Sequence, residues 1–265
     1  MTPFPRPRNA GFRLLDVIGR CGLRSGLKLC VDAGDDASFA SGQVWSDVSG
    51  QSNHFNLGTT NGVDATDPTF TGTAGRRSSG EYFALDGGDY FTLAGSNPAV
   101  LRDMHKAAAK GSIIAMVWPG SFAANQGIIG TSGAATVNHG FEIRIPTNGK
   151  ANLVTRSAGG VPINQASTAS LTAAAWNFVG LSFDEAGGAT ASAWQINAAT
   201  QAFNGAATSP SASDATYATQ IGASGNGATI MQASSRVAFV AVWDVAVGPG
   251  ALASLFDAMR GRFGL

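Results

Sequence analysis

The chain has 265 residues, 35 of them glycine, with 13% charged residues, four lysines, three glutamates and a formal net charge of zero. That balance excludes a broadly basic surface for nucleic acid or an anionic membrane, and so few lysines and glutamates argue against many strong surface helices. No apolar run approaches the ~20 residues of a membrane span. Cys21 and Cys30 are too few for a disulfide scaffold and lack metal-type spacing, so two buried thiols are the simpler reading beside a single disulfide.

Residues 1–26 read as an N-terminal arm. Pro3, Pro5 and Pro7 impose an extended start, and Phe12, Leu15, Ile18 and Leu23 give an amphipathic segment of one or two helical turns. The opening residues carry arginine but no continuous apolar core with a small-residue cleavage site, unlike a signal peptide. A β region begins at Leu27, where Leu27 to Asp32 alternates as a half-buried strand and Asp32 to Asp36 ends it. Trp45-Ser46-Asp47-Val48-Ser49-Gly50, with Asn53 and Phe55 after it, and the turn Leu85-Asp86-Gly87-Gly88-Asp89-Tyr90 give this region its identity. Asn97 as N-cap, Pro98 at the first helical position and Gly111 as terminator predict a three-turn helix over 98–109.

Ser112 to Trp118 is apolar on both faces, as a central strand covered on both sides would be. Phe141 to Ile145 alternates, Asn148-Gly149 is a two-residue hairpin signal, and Ala151 to Arg156 is the returning strand. Trp176–Phe183 and Ala189–Ile196 predict another hairpin, residues 197–217 a long loop with one short strand, and Gln220–Ala223 a further short strand. Arg236 to Asp244 is again apolar on both faces. A helix follows, with Pro249 near its start and Leu252, Leu255, Phe256, Met259 and Phe263 on one stripe. No repeat of fixed period and no second domain is visible, which leaves one domain over 27–265 behind the arm.

About a dozen short strands punctuated by turns predict an all-β, two-sheet antiparallel sandwich. Val31 to Asp35, Gly42 to Gly50 with Asn53, Tyr82 to Gly87 and Asp89 to Phe91, then Val237 to Asp244 with the closing helix, resemble concanavalin A-like lectin/glucanase jelly rolls. More narrowly they resemble laminin-G-like domains common in phage and bacterial surface proteins. The resemblance implies a jelly roll with a short inserted helix and a C-terminal helix. It covers residues 27–263 and has no counterpart for the arm.

The same fold hosts retaining glucanases, which need two carboxylates about 5–5.5 Å apart. In that family they come as Glu-x-Asp-x-(x)-Glu on one strand, and neither Glu81, Glu142 nor Glu185 stands in such a pattern. A pair from separate strands, such as Glu142 with Asp184, is the remaining route, whereas an exposed Glu142 partnering Arg144 or Arg156 needs no catalysis. His54, His105 and His139 have no metal-binding spacing, and neither a nucleophile elbow nor a P-loop is present. A non-enzymatic protein is expected.

Sugar sites on such sandwiches combine aromatic faces with Asp and Asn, and calcium often orders their loops. Asn125, His139 and Tyr217 lie near strand ends, where ligand loops gather. Trp194 is either an exposed stacking platform or a core tryptophan. Asp32, Asp35, Asp86 and Asp89 are the densest oxygen ligands for calcium, and equally the residues that Asp-Gly turns require without any metal.

The resemblance implies a virion protein of a phage or phage-like particle, a tail, fibre or capsid decoration. It would be made in the bacterial cytoplasm and held at the virion surface by the arm, through other virion proteins. As a homo-oligomer it would bind host-surface polysaccharide, with no nucleic-acid partner, no membrane insertion and no required cofactor. The alternatives are a purely structural decoration or assembly protein and, further off, a glycoside hydrolase.

Overall fold

The computed structural model of the chain describes residues 12–133, 135, 137–157, 160–203, 205 and 211–265. Pro3, Pro5 and Pro7 lie outside the described residues, as does part of the 197–217 loop. The elements in order are α1 (Leu14–Arg20), β1 (Leu27–Asp32), β2 (Val44–Trp45), β3 (Phe55–Leu57), β4 (Thr69–Thr71), β5 (Tyr82–Leu85), β6 (Phe91–Leu93), α2 (Ala99–Asp103) and β7 (Lys110–Trp118). There follow β8 (Gln126–Gly130), β9 (Gly140–Ile145), β10 (Lys150–Arg156), β11 (Asn164–Ser170), β12 (Asn177–Asp184), β13 (Ala193–Ile196), β14 (Ala199–Ala202), β15 (Gln220–Ile221), β16 (Ser235–Trp243) and α3 (Pro249–Phe263).

The strands form two eight-stranded antiparallel sheets. The first runs β14-β13-β12-β7-β16-β5-β4, and β1 shares the edge of β16 with β5, β1 pairing with Phe239 to Trp243 and β5 with Ser235 to Val237. The second runs β11-β10-β9-β8-β15-β6-β3-β2. Alternate side chains of both sheets meet between them, because successive strand residues point to opposite faces. Trp45 sits at the centre of an aromatic group, 4.9 Å from Phe83 and 4.7 Å from Phe91 between ring centroids. Each such side chain, fully buried, stabilises by roughly 1.5–3 kcal/mol.

A second apolar layer explains why β7 and β16 are apolar throughout. Ile114, Met116, Ala238, Phe239, Ala241 and Trp243 point away from the sandwich core and are covered by Leu14, Val17 and Ile18 of α1 and Leu252, Leu255, Phe256, Met259 and Phe263 of α3. The same layer buries Leu27 and Cys30, so β1 is covered on both faces and not on one as its alternation suggested. The amphipathic stripe of α1 is Leu14-Val17-Ile18, while Phe12 is 51% exposed under Arg20. Both cysteines are free thiols, Cys30 buried and Cys21 half-buried.

The predicted helix over 98–109 is only Ala99–Asp103, and Asn97 does not cap it. Asn97 instead ties a distant loop, donating from Nδ2 to Tyr217 O (2.8 Å) and accepting from Thr219 N (2.8 Å). The hairpin from β9 to β10 forms with Ile143 opposite Leu153, through a turn closed by Gly149 N–H to Pro146 O at 2.9 Å, longer than a two-residue loop. β12 returns as β13 only after a 3₁₀ turn at Ala189–Ala191.

The run Trp45 to Asn53 earns its residues structurally. Asp47 accepts from Cys30 N (2.9 Å) and Ser49 N (2.8 Å) through Oδ1, and from Asn53 N (3.0 Å) and Ser49 Oγ (2.8 Å) through Oδ2. One buried carboxylate thereby satisfies the backbone donors of a whole loop.

Candidate functional site

The outer face of the second sheet carries the site, because α1 and α3 cover the outer face of the first. In β9 and β10, Phe141, Ile143, Ile145, Ala151 and Leu153 enter the core, which sends Glu142, Arg144, Asn152, Val154 and Arg156 outward. Glu142 stands opposite Val154 and Gly130, and Arg144 opposite Asn152 and Gly127. Glu142 is fully buried, with Oε1 3.1 Å from Arg144 Nη1 and 3.5 Å from Arg156 Nη2. Burial raises the pKa of its carboxyl, a rise that the two guanidinium groups and the Thr229 hydroxyl reduce without cancelling. The expected partners are therefore correct, but Glu142 is not exposed.

Its roof is the loop from Gly222 to Ser234, drawn down onto β8 by Gly127 N–H to Thr229 O (2.8 Å) and Gly225 N–H to Ser132 O (3.0 Å). A Cβ on Gly127 would come within 2.5 Å of Ala223 C, so only glycine admits the loop this close. Gln220, pointing outward from β15, accepts from Gly227 N at 2.8 Å and pins the loop tip.

Beyond the end of β8, three polar side chains from separate segments converge on Gly133. A Cβ there would lie 2.4 Å from Asn138 Nδ2, 2.9 Å from Asn226 Nδ2 and 2.9 Å from Tyr217 Cε2. The segment bearing Tyr217 is fixed by Tyr217 N–H to Thr131 O (3.3 Å), Thr216 N–H to His139 O (2.9 Å) and the Asn97 bonds. His139 bonds Ser211 Oγ at 3.1 Å through Nδ1, and His105, its ring 6.1 Å from that of His139, bonds Ser213 O at 2.9 Å. Burial lowers the His105 pKa, which keeps that ring neutral beneath the loop. Lys106 bridges Asp103 and Asp214, tying α2 to the same loop. An aromatic ring beside two amides, on a rim held by hydrogen bonds, is equipped to stack on a sugar ring and bond its hydroxyls.

Of the sequence-derived ligand residues, the structure brings Tyr217 and His139 together. Asn125 is exposed but stands at the start of β8, at the opposite end of that strand from Thr131 and Tyr217. Trp194 is no platform: it is 0% exposed in the sandwich core, stacked on Phe203 at 6.0 Å. Asn138 and Asn226 were missed. Their signal is slight, an Asn in a Gly-Asn-Gly tip and an Asn beside a histidine, and only the fold joins them.

The acidic residues are occupied otherwise. Asp32, 1% exposed, accepts from Leu14 N (3.2 Å), Gly34 N (2.9 Å) and Arg262 Nη1 (2.8 Å), clamping both termini of the described fold. Asp35 accepts from Ala37 N at 3.1 Å and lies 3.5 Å from Arg13 Nε; burial raises its pKa. Asp86 accepts from Gly88 N, and Asp89 from Asp86 N, within one turn. Asp89 is pushed up to about 6, chiefly by burial, with Asp86 also raising it. Among the described residues no three His, Cys, Asp or Glu side chains are grouped as a metal would need, and each of these four aspartates bonds backbone N–H groups of its own turn or an arginine.

The carboxylate pair needed for hydrolysis is not assembled from Glu142 and Asp184: they lie in different sheets, and Asp184 pairs with Lys110 at 3.0 Å. Glu81 accepts from Ser78 N and Thr73 N, and Glu185 from Ala108 N.

No protein-family model matches the chain, and no curated protein matches by sequence. Solved structures do match in fold. The chain is similar to domain 4 of the extracellular GH43 arabinanase AbnA from Geobacillus stearothermophilus, solved with arabinotriose, at 13% identity and TM-score 0.57, over 86% of this chain and 97% of that one. It is similar to the binding domain of Paraclostridial Mosquitocidal Protein 1 at 9% identity and TM-score 0.60, over 89% of this chain and 52% of that one. Trypanosoma rangeli sialidase matches at 12% identity and TM-score 0.53, over 88% of this chain and 33% of that one. The chain thus spans about a third of the sialidase and about half of the mosquitocidal binding domain, and the likeness is one of fold.

Proposed function

We propose that this chain is a non-catalytic saccharide-binding module whose site is the rim of the second sheet around Gly133. The observation that carries the reading is the convergence of the Tyr217 ring with the Asn138 and Asn226 amides, beside the Arg144–Glu142–Arg156 floor. The similarity in fold over 97% of an arabinanase domain solved with arabinotriose supports it. Against hydrolysis stands the engagement of all three glutamates in arginine or backbone bonds. We infer further that such a module sits on a particle such as a virion, a reading that rests on the laminin-G-like resemblance alone. There residues 1–26 would form the attachment segment, part of which, Leu14, Val17 and Ile18, is already buried in the domain. Many copies, as an oligomer on one particle, would add avidity to a weak single site.

A glycan array probed with the wild-type chain and with Tyr217→Ala tests this. Binding to a defined set of saccharides, lost in Tyr217→Ala at unchanged thermal stability, is the expected result. Binding that survives Tyr217→Ala places the site elsewhere, and release of reducing sugar from a bound polysaccharide overturns the non-catalytic reading.

A further inference from the structure

The floor of the proposed site carries charge that a neutral sugar does not require. Arg144 and Arg156 flank one carboxylate, and both reach the same oxygen, Glu142 Oε1. Two cations therefore face one anion where the side chains are only 19%, 9% and 0% exposed. Among the described residues no other carboxylate pairs with either arginine. Each guanidinium has five N–H donors in a planar fork, and the Nε atoms of both are buried without an acceptor. Beside Arg144, Asn152 donates from Nδ2 to Asn164 Oδ1 at 2.7 Å.

Keeping a buried charge unmatched is costly, whereas a single arginine would neutralise Glu142. The second arginine is thus in excess of what packing needs. A planar carboxylate fits a guanidinium fork through two parallel bonds, which a hydroxyl cannot reproduce. Arg156 stands opposite Gly140, which in turn abuts Thr131 and Ser132, next to the backbone that holds Tyr217. The two guanidinium groups meet at Glu142 on β9, and two strand spacings, β9 to β8 and β8 to the Tyr217 segment, put that point about 10 Å from the aromatic rim, a distance that a short oligosaccharide spans.

We propose that Arg144 and Arg156 receive the carboxylate of an acidic sugar, making the ligand a uronate-containing saccharide whose neighbouring ring lies against Tyr217. This rests on the saccharide-binding reading above and specifies its ligand class.

The test compares a short oligogalacturonate with the same oligosaccharide after carboxyl reduction, by titration calorimetry on the full chain at low and high salt. The acidic ligand should bind at least tenfold more tightly at low salt, with the advantage shrinking as salt rises. Arg144→Gln should bring the ratio of acidic to neutral affinity towards one. Glu142→Gln, which removes the internal counter-charge, should raise it. Equal affinities for the two ligands in the wild-type chain, with binding intact, would overturn this inference and leave saccharide binding standing. Failure of both ligands and of every glycan on the array would remove both. The ligand-side comparison needs no substitution, so a poorly folding variant does not blunt it.

Discussion

Replacing Asp32 with alanine tests whether the aspartates serve the fold or a metal. Its carboxylate is the sole counter-ion among the described residues for Arg262, whose side chain is only 3% exposed and otherwise donates to Ser78 O at 3.1 Å. Removing one member of a buried pair strands the other, at a cost of about 3–5 kcal/mol. Two backbone donors, Leu14 N and Gly34 N, also lose their acceptor, which keeps the total towards the upper end. For a chain of this size each kcal/mol moves the melting point by about 2–4 °C, so Asp32→Ala, at about 4–5 kcal/mol, should melt roughly 8–20 °C below wild type. Differential scanning fluorimetry in calcium and in EDTA reads this directly, and the two curves should coincide for both proteins. Asp32→Ala combined with Arg262→Met should recover much of the loss, since no buried cation remains. The clamp argument fails if Asp32→Ala melts with wild type, or if calcium raises the wild-type melting point and the substitution abolishes that rise.

Trp194→Ala should cost about 3–5 kcal/mol in urea unfolding, because the indole fills the core beside Phe203; a stable variant with altered glycan binding would instead mark it as a platform. Asp89 titrates in the folded chain near 6, above its unfolded value. The folded state therefore binds the extra proton, and its stabilising contribution, complete below about pH 4, is lost as pH rises through 6. Asp89→Asn should flatten that part of the pH–stability curve, and an unchanged curve would contradict the burial argument. Gly133→Ala should displace Asn138, Asn226 and Tyr217, weakening saccharide binding several-fold while denaturation midpoints stay close to wild type; full binding by that variant would show that the three side chains do not act together.

Much of the fold was legible in the sequence. The double-sided apolar runs in β7 and β16 announce strands covered on both faces, and the stripe from Leu252 to Phe263 announces what covers them. Trp45 to Asn53 was legible as a motif because Asp47 needs its neighbours at fixed offsets to satisfy loop donors. The length of α2 was not, since Asn97 spends its side chain on Thr219 and Tyr217, more than a hundred residues away, and not on the helix. Trp194 reads equally as platform or core because period-two alternation fixes which residues share a face, not which face is buried. The site was the least legible part. Asn138, Tyr217 and Asn226 share no spacing, and their meeting depends on a close approach at Gly133 that no local pattern encodes. Glu142 and Arg144 alternate as surface residues do, yet Glu142 is fully buried beside the Gly222–Ser234 loop while Arg144 stays half-buried.

The central claim is that saccharide binds on the rim of the second sheet, and a ¹H–¹⁵N chemical-shift map of the chain titrated with an array-identified oligosaccharide tests it most directly. The account predicts saturable shifts at Asn138, Tyr217, Asn226 and Thr229, with Asn125 and the buried Trp194 indole unmoved. Shifts confined to the Asn125 end of β8 or to the α1–α3 face, with the Gly133 rim silent, would contradict it.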